Sequence, residues 1–435
     1  MSLRKTIPVV ALLLVMLLAV SPFAVADESK EQTPSNWYDG FIFQDDCFVF
    51  EFIRVLGAAH GGGSDLGECI QTALRIKDGN DMSWFLEWSR TANRINDLAK
   101  KFEKEGHVVS ARSAYFRACN YYRSAGFYMH APEHRAKSII TWSNSVECFK
   151  RGIASLPYIE IVKIPYEDTT LPGYFISAAP AGEKRPLLIV QTGFDGTGEE
   201  LYFHLGEAAR NRGYHCLIFE GPGQGAVLRK QDLPFRPDWE KVVTPVVDYA
   251  VNRKDVDVDR IALMGISMGG YMAPRAVAFE HRIKACIANG GIYDFSESMY
   301  KAMPPEAINS IKEDPKDFNK EIGEVMKEST QIRWFFNNGM WAFGVNSPAK
   351  LMLAIEKYNL KDCVKKIKCN MLVIDSKADI FFKDQPKKLY DELECPKIYL
   401  VFSRKETAQA HCQMGAITLS NEMVFNWLDD VMGKN

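Results

Sequence analysis

The sequence lacks the short motifs of metal and nucleotide sites. It contains no C-x-x-C pair and no H-E-x-x-H, so the usual zinc-site classes have no support. The loop GPGQGA carries Gly221, Gly223 and Gly225 as G-x-G-x-G, which is not the dinucleotide-binding spacing, and no G-x-x-x-x-G-K-[ST] is present. We therefore expect no metal site and no cofactor.

An excess of charge of one sign is also missing. The 53 basic and 55 acidic residues give a formal net charge of −2, and no basic cluster stands out. Proteins that bind a phosphate backbone usually carry a basic excess, so we expect no nucleic acid partner. A hydrophobic share of 47% and a charged share of 25% are those of an ordinary globular protein, and 435 residues allow two or three structural units.

The N-terminus has the pattern of an export signal. Arg4 and Lys5 precede an apolar run from Pro8 to Val20, and the small-x-small pattern Ala24-Val25-Ala26 follows. The run is shorter than the roughly 20 residues that a membrane-spanning helix needs. We predict a signal peptide over residues 1–26, removal after Ala26, a periplasmic or secreted protein, and no membrane association after cleavage.

Ten cysteines are scattered along the chain rather than clustered as in a small disulfide scaffold. Export would bring them into an oxidising compartment, where a few bridges could form. Cys216 and Cys286 lie in apolar runs, where a free thiol is a common core residue. The connectivity of any bridges cannot be deduced from spacing, and it stays open.

The region from about 36 to 152 is predicted to be helical. Apolar residues from Trp84 to Phe102 recur at steps of three and four, and Gly106 ends that stripe. Two further stripes follow, the second of them after Pro132. No repeat of fixed period is present, which disfavours a helical solenoid. We predict an N-terminal helical cap domain over residues 27–156.

Strands and helices alternate after Pro157. Apolar runs such as RPLLIV, HCLIF and NMLVI are separated by helical stretches, a rhythm that predicts a mostly parallel, doubly wound sheet covered on both faces. The interval 296–360 breaks this rhythm and is rich in Met, Trp and Phe, so we predict a helical lid insertion there. The α/β core then comprises residues 157–295 and 361–435.

One serine lies where such a fold places a nucleophile. Gly265, Ser267 and Gly269 form G-x-S-x-G between the strand-like IALMGI and the helix-like MGGYMAPRAVAF. A serine hydroxyl needs a base, and the base needs a carboxylate, in the chain order Ser, Asp or Glu, His. Of the two histidines after Ser267, His281 follows the helix that leaves the turn, so His411 is the predicted base.

The loop after NMLVI offers two candidates for the acid, Asp375 at the strand end and Asp379 four residues on. Asp379 is favoured because the turn carries it out over the sheet edge. The backbone N–H groups of Met268 and Phe194 are the predicted oxyanion donors. Glu297 is a candidate auxiliary acid, which carbon–carbon bond hydrolysis would need and ester hydrolysis would not.

Several stretches together resemble a known family. They are GHVVSARSAYFRACNYYR, FEGPGQGAVLRKQDLPFRPDWE, MGISMGGYMAPRA, YNLKDCVKKIKCNMLVIDSKADIFF and AHCQMGA. The chain from about residue 70 onward is similar to α/β-hydrolases with an N-terminal helical domain, which include 2,6-dihydroxypseudooxynicotine hydrolase, fungal polyketide-shortening hydrolases and FrsA-like esterases. The resemblance implies the α/β-hydrolase fold, with Ser267 as nucleophile, Asp379 as acid and His411 as base.

These observations predict an exported serine hydrolase that cleaves an ester bond through a covalent acyl-enzyme. The expected substrate is a small apolar or aromatic compound with a carbonyl group. Whether the chain forms a homodimer is left open. Cleavage of a carbon–carbon bond in a β-dicarbonyl or acyl-phenol, or action as a dipeptidyl or acylaminoacyl peptidase, are alternatives. A catalytically silent binding protein on the same fold is the alternative outside enzymes.

Overall fold

The computed structural model describes residues 36–180, 182–301 and 303–433. The predicted signal peptide, residues 1–26, lies outside the described residues. Among those that are described, no helix combines the length and the apolar character needed to cross a membrane. All ten cysteines lie in the described ranges, and each is a free thiol.

The chain before the first strand is helical. It contains helices α1 (Asp46–Gly57), α2 (Leu66–Ala73), α3 (Asp81–Lys104), α4 (Val108–Ala125) and α5 (Arg135–Ile153). Side chains cap several of them; Asn80, for example, accepts a hydrogen bond from the Ser83 N–H at the start of α3. The helices pack around fully buried aromatic rings, Trp84 and Trp88 among them. We call this part the cap.

The core is one eight-stranded sheet. Its strands are β1 (Ile159–Tyr166), β2 (Thr169–Ile176), β3 (Arg185–Gln191), β4 (His215–Phe219), β5 (Val256–Ile266), β6 (Ala285–Asn289), β7 (Asn370–Ser376) and β8 (Lys397–Phe402). They lie in the order β1-β2-β4-β3-β5-β6-β7-β8. Strands β1 and β2 are antiparallel to their neighbours, and all pairs from β4 to β8 are parallel. Every residue of β4 and β6 is buried, as expected for strands covered on both faces.

Helices cover both faces of the sheet, which confirms the doubly wound α/β fold. They are α6 (Gly198–Leu201), α7 (Glu207–Asn211), α8 (Gly225–Gln231), α9 (Glu240–Val251), α10 (Gly269–Val277), α16 (Gln385–Glu392) and α17 (Ile417–Val431). A single turn of π-helix, Tyr202–Gly206, joins α6 to α7. Because parallel strands end at the same edge, the loops that follow β3, β5, β7 and β8 meet above the sheet.

The interval between β6 and β7 is a helical insertion, which we call the lid. It contains α11 (Phe295–Tyr300), α12 (Pro305–Glu313), α13 (Pro315–Glu328), α14 (Thr330–Ala342) and α15 (Pro348–Ile355). The lid contacts the cap directly. The Arg333 guanidinium on α14 donates two hydrogen bonds to the Asp81 carboxylate on α3, at 2.7 and 2.9 Å. Cap and lid thus lie together over the edge where the loops meet.

Candidate active site

Ser267 occupies the sharp turn between β5 and α10. Its φ of +63° is unusual for a residue with a side chain. The flanking glycines permit this turn, since a methyl group on Gly265 would lie 2.0 Å from the Gly269 carbonyl oxygen, and one on Gly269 would lie 2.9 Å from the Thr192 oxygen. Both glycines of the motif are therefore required for this close approach of backbone segments at the turn.

His411 and Asp379 meet Ser267 at this turn. His411 Nε2 lies 3.0 Å from Ser267 Oγ, and His411 Nδ1 lies 2.7 Å from Asp379 Oδ2. Asp379 Oδ1 accepts hydrogen bonds from the N–H groups of Phe381 and Phe382, at 2.7 and 3.0 Å. A fixed carboxylate favours the tautomer with the proton on Nδ1, which leaves Nε2 free to accept the serine proton.

The other two candidates for these roles lie elsewhere. Asp375 is the second-last residue of β7 and accepts a hydrogen bond from the Tyr399 hydroxyl at 2.6 Å. His281 is exposed in the turn between α10 and β6, which is the opposite end of the sheet from Ser267. The geometry brings together Ser267, His411 and Asp379, the three residues that chain order favours.

Burial and charge have opposite effects on the pKa values of Asp379 and His411. Burial favours neutral forms of both groups, but the proximity of opposite charge outweighs it. The result is that the pKa of Asp379 falls below its usual value, with His411 and two backbone N–H groups as the causes. The pKa of His411 rises well above its usual value, chiefly because the Asp379 carboxylate favours the imidazolium.

Two backbone N–H groups are close to Ser267 and point to an oxyanion hole. A methyl group on Gly193 would lie 2.5 Å from the Met268 nitrogen, so the loop after β3 packs directly against the start of α10. Among the hydrogen bonds of the described residues, neither the Met268 N–H nor the Phe194 N–H has a partner. Two donors without a partner, one directly after the serine and one in the loop packed against it, suit a developing oxyanion.

Ser267 opens into a cavity that lies between the cap and the lid. The cap and the lid each contribute four of its lining residues, namely Cys47, Phe50, Arg54 and Phe127 from the cap and Phe295, Met299, Trp334 and Phe335 from the lid. The rings of Phe381 and Phe382 lie 4.8 and 5.5 Å from the His411 ring. The wall around the triad is therefore mainly apolar and rich in aromatic rings, as in pockets for apolar ligands.

Four tryptophans of the cap and the lid differ in whether they line this cavity. Trp334 lines it and stacks on Phe127 of the cap, with ring centres 5.2 Å apart. Trp84 and Trp88 are fully buried inside the cap. Trp341 packs under the Arg135 guanidinium, 4.8 Å from its ring centre, and does not line the cavity. Only one of the four contributes to the pocket.

Glu297 is not at the triad, so the structure does not support the auxiliary role expected for it. Its carboxylate is paired with the Lys388 ammonium and lines a separate surface depression. The reason is local: Glu297 lies in the first turn of α11, where the Asp294 side chain accepts a hydrogen bond from its N–H at 3.2 Å. Its side chain therefore faces α16, away from the cavity.

A buried charge cluster at the cap end of the cavity was not foreseen. Arg54 on α1 donates to the Glu200 carboxylate at 2.6 and 2.7 Å and to Asp195 at 3.0 Å. Burial opposes charge on Arg54, but the surrounding carboxylates outweigh it and raise its pKa well above the usual value. Arg54 and Glu200 are 146 positions apart, and no local pattern in the sequence links them.

The described residues hold no group of three or more His, Cys, Asp or Glu side chains arranged to bind a metal ion. Cys412 is the thiol nearest the triad, with Sγ 3.3 Å from His411 Nε2.

The sheet order, the covering helices and a serine at a strand-to-helix turn define the chain as a hydrolase of the α/β-hydrolase superfamily. The family model of the prolyl oligopeptidase family matches residues 210–329. The solved structure of 2,6-dihydroxy-pseudo-oxynicotine hydrolase is similar, with a TM-score of 0.66 and 19% identity over 87% of this chain and 95% of that one. This likeness concerns the fold.

Two fungal proteins are similar over nearly their whole length. Hydrolase acrC of Aspergillus aculeatus is 35% identical over 89% of this chain and 97% of its own. The 20-hydroxy-prefusarin hydrolase FUS2 of Gibberella moniliformis is 34% identical over the same shares. The chain belongs to the family of α/β-hydrolases that these fungal hydrolases represent, which confirms the resemblance found in the sequence.

Proposed function

We propose that the chain is a serine esterase acting on a small apolar or aromatic compound. The observation that carries the proposal is the continuous hydrogen-bonded line Asp379–His411–Ser267, which opens into an aromatic cavity. Ser267 Oγ attacks the substrate carbonyl while His411 Nε2 takes its proton. The Met268 and Phe194 N–H groups hold the oxyanion.

The same groups complete the turnover. Collapse of the tetrahedral intermediate breaks the acyl–oxygen bond, and His411 returns its proton to the leaving alcohol or phenol. Water then attacks the acyl-enzyme with His411 as base, which releases the acid and restores Ser267. The aromatic wall formed by cap and lid selects an apolar acyl or aryl group and excludes bulk water from these steps.

A fluorophosphonate probe and a panel of aryl esters test this proposal. We expect the wild-type protein to be labelled at Ser267 and to hydrolyse esters. The Ser267→Ala and His411→Ala variants should each lose about 10³-fold or more in kcat while keeping the wild-type melting temperature, because triad members act as a unit. Turnover retained in pure Ser267→Ala protein would refute the assignment.

A second candidate is hydrolysis of a carbon–carbon bond, which needs an acidic group near the triad in addition to the three residues. The Arg54–Asp195 pair favours it, because both side chains line the cavity and the guanidinium can donate a hydrogen bond to a second carbonyl of the substrate. A panel that includes β-diketones and short acylated peptides beside esters separates this activity, and a peptidase activity, from ester hydrolysis.

We also propose that the protein is exported, on the strength of the Arg4–Lys5 charge, the apolar run and the Ala24-Val25-Ala26 pattern. Fusion of residues 1–30 to a reporter that folds only outside the cytoplasm should give an active, cleaved reporter. N-terminal sequencing should then begin at Asp27. A reporter that stays inside the cell would contradict export.

A further inference from the structure

The GPGQGA loop lacks the spacing of a nucleotide site, and its glycines are closely packed against neighbouring side chains. A methyl group on Gly221 would lie 2.8 Å from the Trp239 ring, and one on Gly223, whose φ is +82°, would lie 2.3 Å from the Phe235 ring. One on Gly225 would lie 1.8 Å from the Glu220 carboxylate. All three glycines therefore serve close packing, and the loop carries one long polar side chain, Gln224.

The Gln224 side chain joins this loop to residues 192–194, which we call the oxyanion loop. Its Oε1 accepts a hydrogen bond from the Gly221 N–H at 3.0 Å, which fixes the amide within its own loop. Its Nε2 donates to the Thr192 carbonyl at 2.8 Å and to the Gly193 carbonyl at 3.2 Å. The side chain is 2% exposed, so water does not compete for these bonds.

The bond to Gly193 determines where the Phe194 N–H points. The Gly193 carbonyl and the Phe194 N–H belong to one planar trans peptide, in which C=O and N–H point in opposite directions. When Gln224 holds the oxygen on the inner side of the loop, the N–H is turned to the other side. This peptide lies against the nucleophile turn where the oxyanion forms, since a methyl group on Gly193 would lie 2.5 Å from the Met268 nitrogen and 3.0 Å from Ser267 Cβ.

The next carbonyl is held from the lid. Asn338 on α14 is buried, and its Nδ2 donates to the Phe194 carbonyl at 3.1 Å. Phe335, on the same helix, stacks on the Phe194 ring with centres 5.5 Å apart and an angle of 16°. Three successive carbonyls, those of Thr192, Gly193 and Phe194, are therefore held by two amide side chains.

We propose that Gln224 and Asn338 are positioning residues for the oxyanion hole: Gln224 aims the Phe194 N–H at the developing oxyanion, and Asn338 makes this aim depend on the docked lid. The inference rests on the proposed serine-hydrolase function. Neither side chain lines the cavity, so each should affect the transition state more than the binding of the ground state.

The variants Gln224→Glu and Gln224→Met test the first residue. Glutamate keeps the acceptor for the Gly221 N–H and loses the amide donors, whereas methionine keeps only the volume. We expect both to lower kcat about 10- to 100-fold with KM changed less than about 3-fold, since one misplaced oxyanion donor costs up to about 10²–10³. The control is Gln385→Glu, a buried glutamine whose Oε1 accepts from the Tyr293 and Asp294 N–H groups, a role that glutamate retains.

Asn338→Asp tests the lid contact. It removes the donor to Phe194 without changing size, and we expect kcat to fall about 3- to 10-fold, again with little change in KM. Its control is Asn319→Asp in the lid, because Asn319 Oδ1 accepts a hydrogen bond from the Ala349 N–H, and aspartate can do the same.

A pair of inhibitors distinguishes positioning from general damage. An aryl trifluoromethyl ketone adds to Ser267 and places an oxyanion in the hole, whereas the matching methyl ketone binds without forming an adduct. In the Gln224 and Asn338 variants, affinity for the trifluoromethyl ketone should fall by the same factor as kcat/KM, and affinity for the methyl ketone should stay as in the wild type.

The outcomes separate this inference from the function on which it rests. The inference is overturned if the variants lose the same affinity for both ketones. It is also overturned if both Gln224 variants and Asn338→Asp keep the wild-type kcat. In either case the esterase function stands. If the Gln224 variants do not fold, the kcat of Asn338→Asp and its affinities for the two ketones test the inference. If the wild-type protein is neither labelled at Ser267 nor active on esters, the function fails and the inference fails with it.

Discussion

The Asp379 carboxylate lies 2.7 Å from His411 Nδ1, while Asp375, four residues earlier, is bound to the Tyr399 hydroxyl instead. Of these two carboxylates, only Asp379, in the loop after β7, contacts His411. The difference arises because Asp379 stands beyond the strand end, in the loop that the Phe381 and Phe382 N–H groups hold in place.

Asp379→Asn and Asp375→Asn should therefore behave differently. An asparagine amide neither fixes the tautomer with the proton on His411 Nδ1 nor stabilises the imidazolium that forms during attack. We therefore expect kcat of Asp379→Asn on an aryl ester to fall about 10³- to 10⁴-fold. Asn at 375 should retain kcat within about 3-fold. Steady-state kinetics on both purified variants, with melting temperatures as the control for folding, check the ranking; a larger loss at 375 would reassign the acid.

The pH dependence of kcat/KM should follow the ionisation of His411. Only the neutral imidazole can take the serine proton, and the Asp379 carboxylate raises the pKa of His411 well above its usual value. Activity should therefore be lost as the pH falls through this raised pKa and should increase toward alkaline pH. In Asp379→Asn the residual activity should reach half its maximum at a lower pH; an unchanged or higher midpoint would contradict the electrostatic role.

The sequence was informative where function depends on local pattern. G-x-S-x-G could be recognised because the geometry of one turn demands small residues at Gly265 and Gly269. The alternation of strands and helices, and the helical character of cap and lid, follow from periodic apolar positions that local burial imposes. Chain order then left His281 and His411 as candidates for the base, and His411 was favoured because His281 follows the helix that leaves the turn.

What the sequence missed depends on contacts between distant segments. Arg54 reaches Glu200 across 146 positions, and Asn338 reaches Phe194 across 144. The error at Glu297 has the same origin, because its pairing with Lys388 depends on how α11 packs on α16. Nor could periodicity tell that Trp334 faces the cavity while Trp341 packs under Arg135, since both lie on the apolar part of α14.

Arg54→Met should destabilise the protein strongly. It would leave the half-buried Asp195 carboxylate without its guanidinium and the buried Glu51 and Glu200 carboxylates with Arg123 alone. Breaking buried pairs in this way costs about 3–5 kcal/mol. Urea unfolding should show this loss in the free energy of unfolding. Lys387→Met removes a half-exposed pair with Asp391 and should change it by less than about 1 kcal/mol; equal effects would show that the cluster is not structural.

Trp334→Ala should widen substrate preference, and Trp341→Ala, on the same helix, should not. The Trp334 ring closes the cavity between lid and cap, so its loss makes room for a longer or bulkier acyl group. We expect the ratio of kcat/KM for a hexanoyl over an acetyl aryl ester to rise at least about 10-fold, the lower end of what a single methylene contact contributes in an apolar pocket. Trp341→Ala should keep the wild-type ratio even if it lowers stability; equal ratios in both variants would place Trp334 outside the substrate's reach.

The last prediction concerns the bond that is cleaved, and it compares Asp195→Asn with Glu297→Gln. Asp195 lines the cavity one residue after Phe194, whereas Glu297 is paired with Lys388 outside it. An ester releases an oxygen that His411 can protonate, but a carbon leaving group needs a further acid close to the bond.

If the protein is an esterase, Glu297→Gln should keep the wild-type kcat/KM on aryl esters, and Asp195→Asn should lower it no more than about 10-fold, through the loosened pairing with Arg54. If the wild type cleaves a β-diketone and Asp195→Asn loses that activity far more than any ester activity, carbon–carbon hydrolysis is the function and the Arg54–Asp195 pair takes part in it. Loss of either activity in Glu297→Gln would show that the Lys388 pair does not hold Glu297 away from the site.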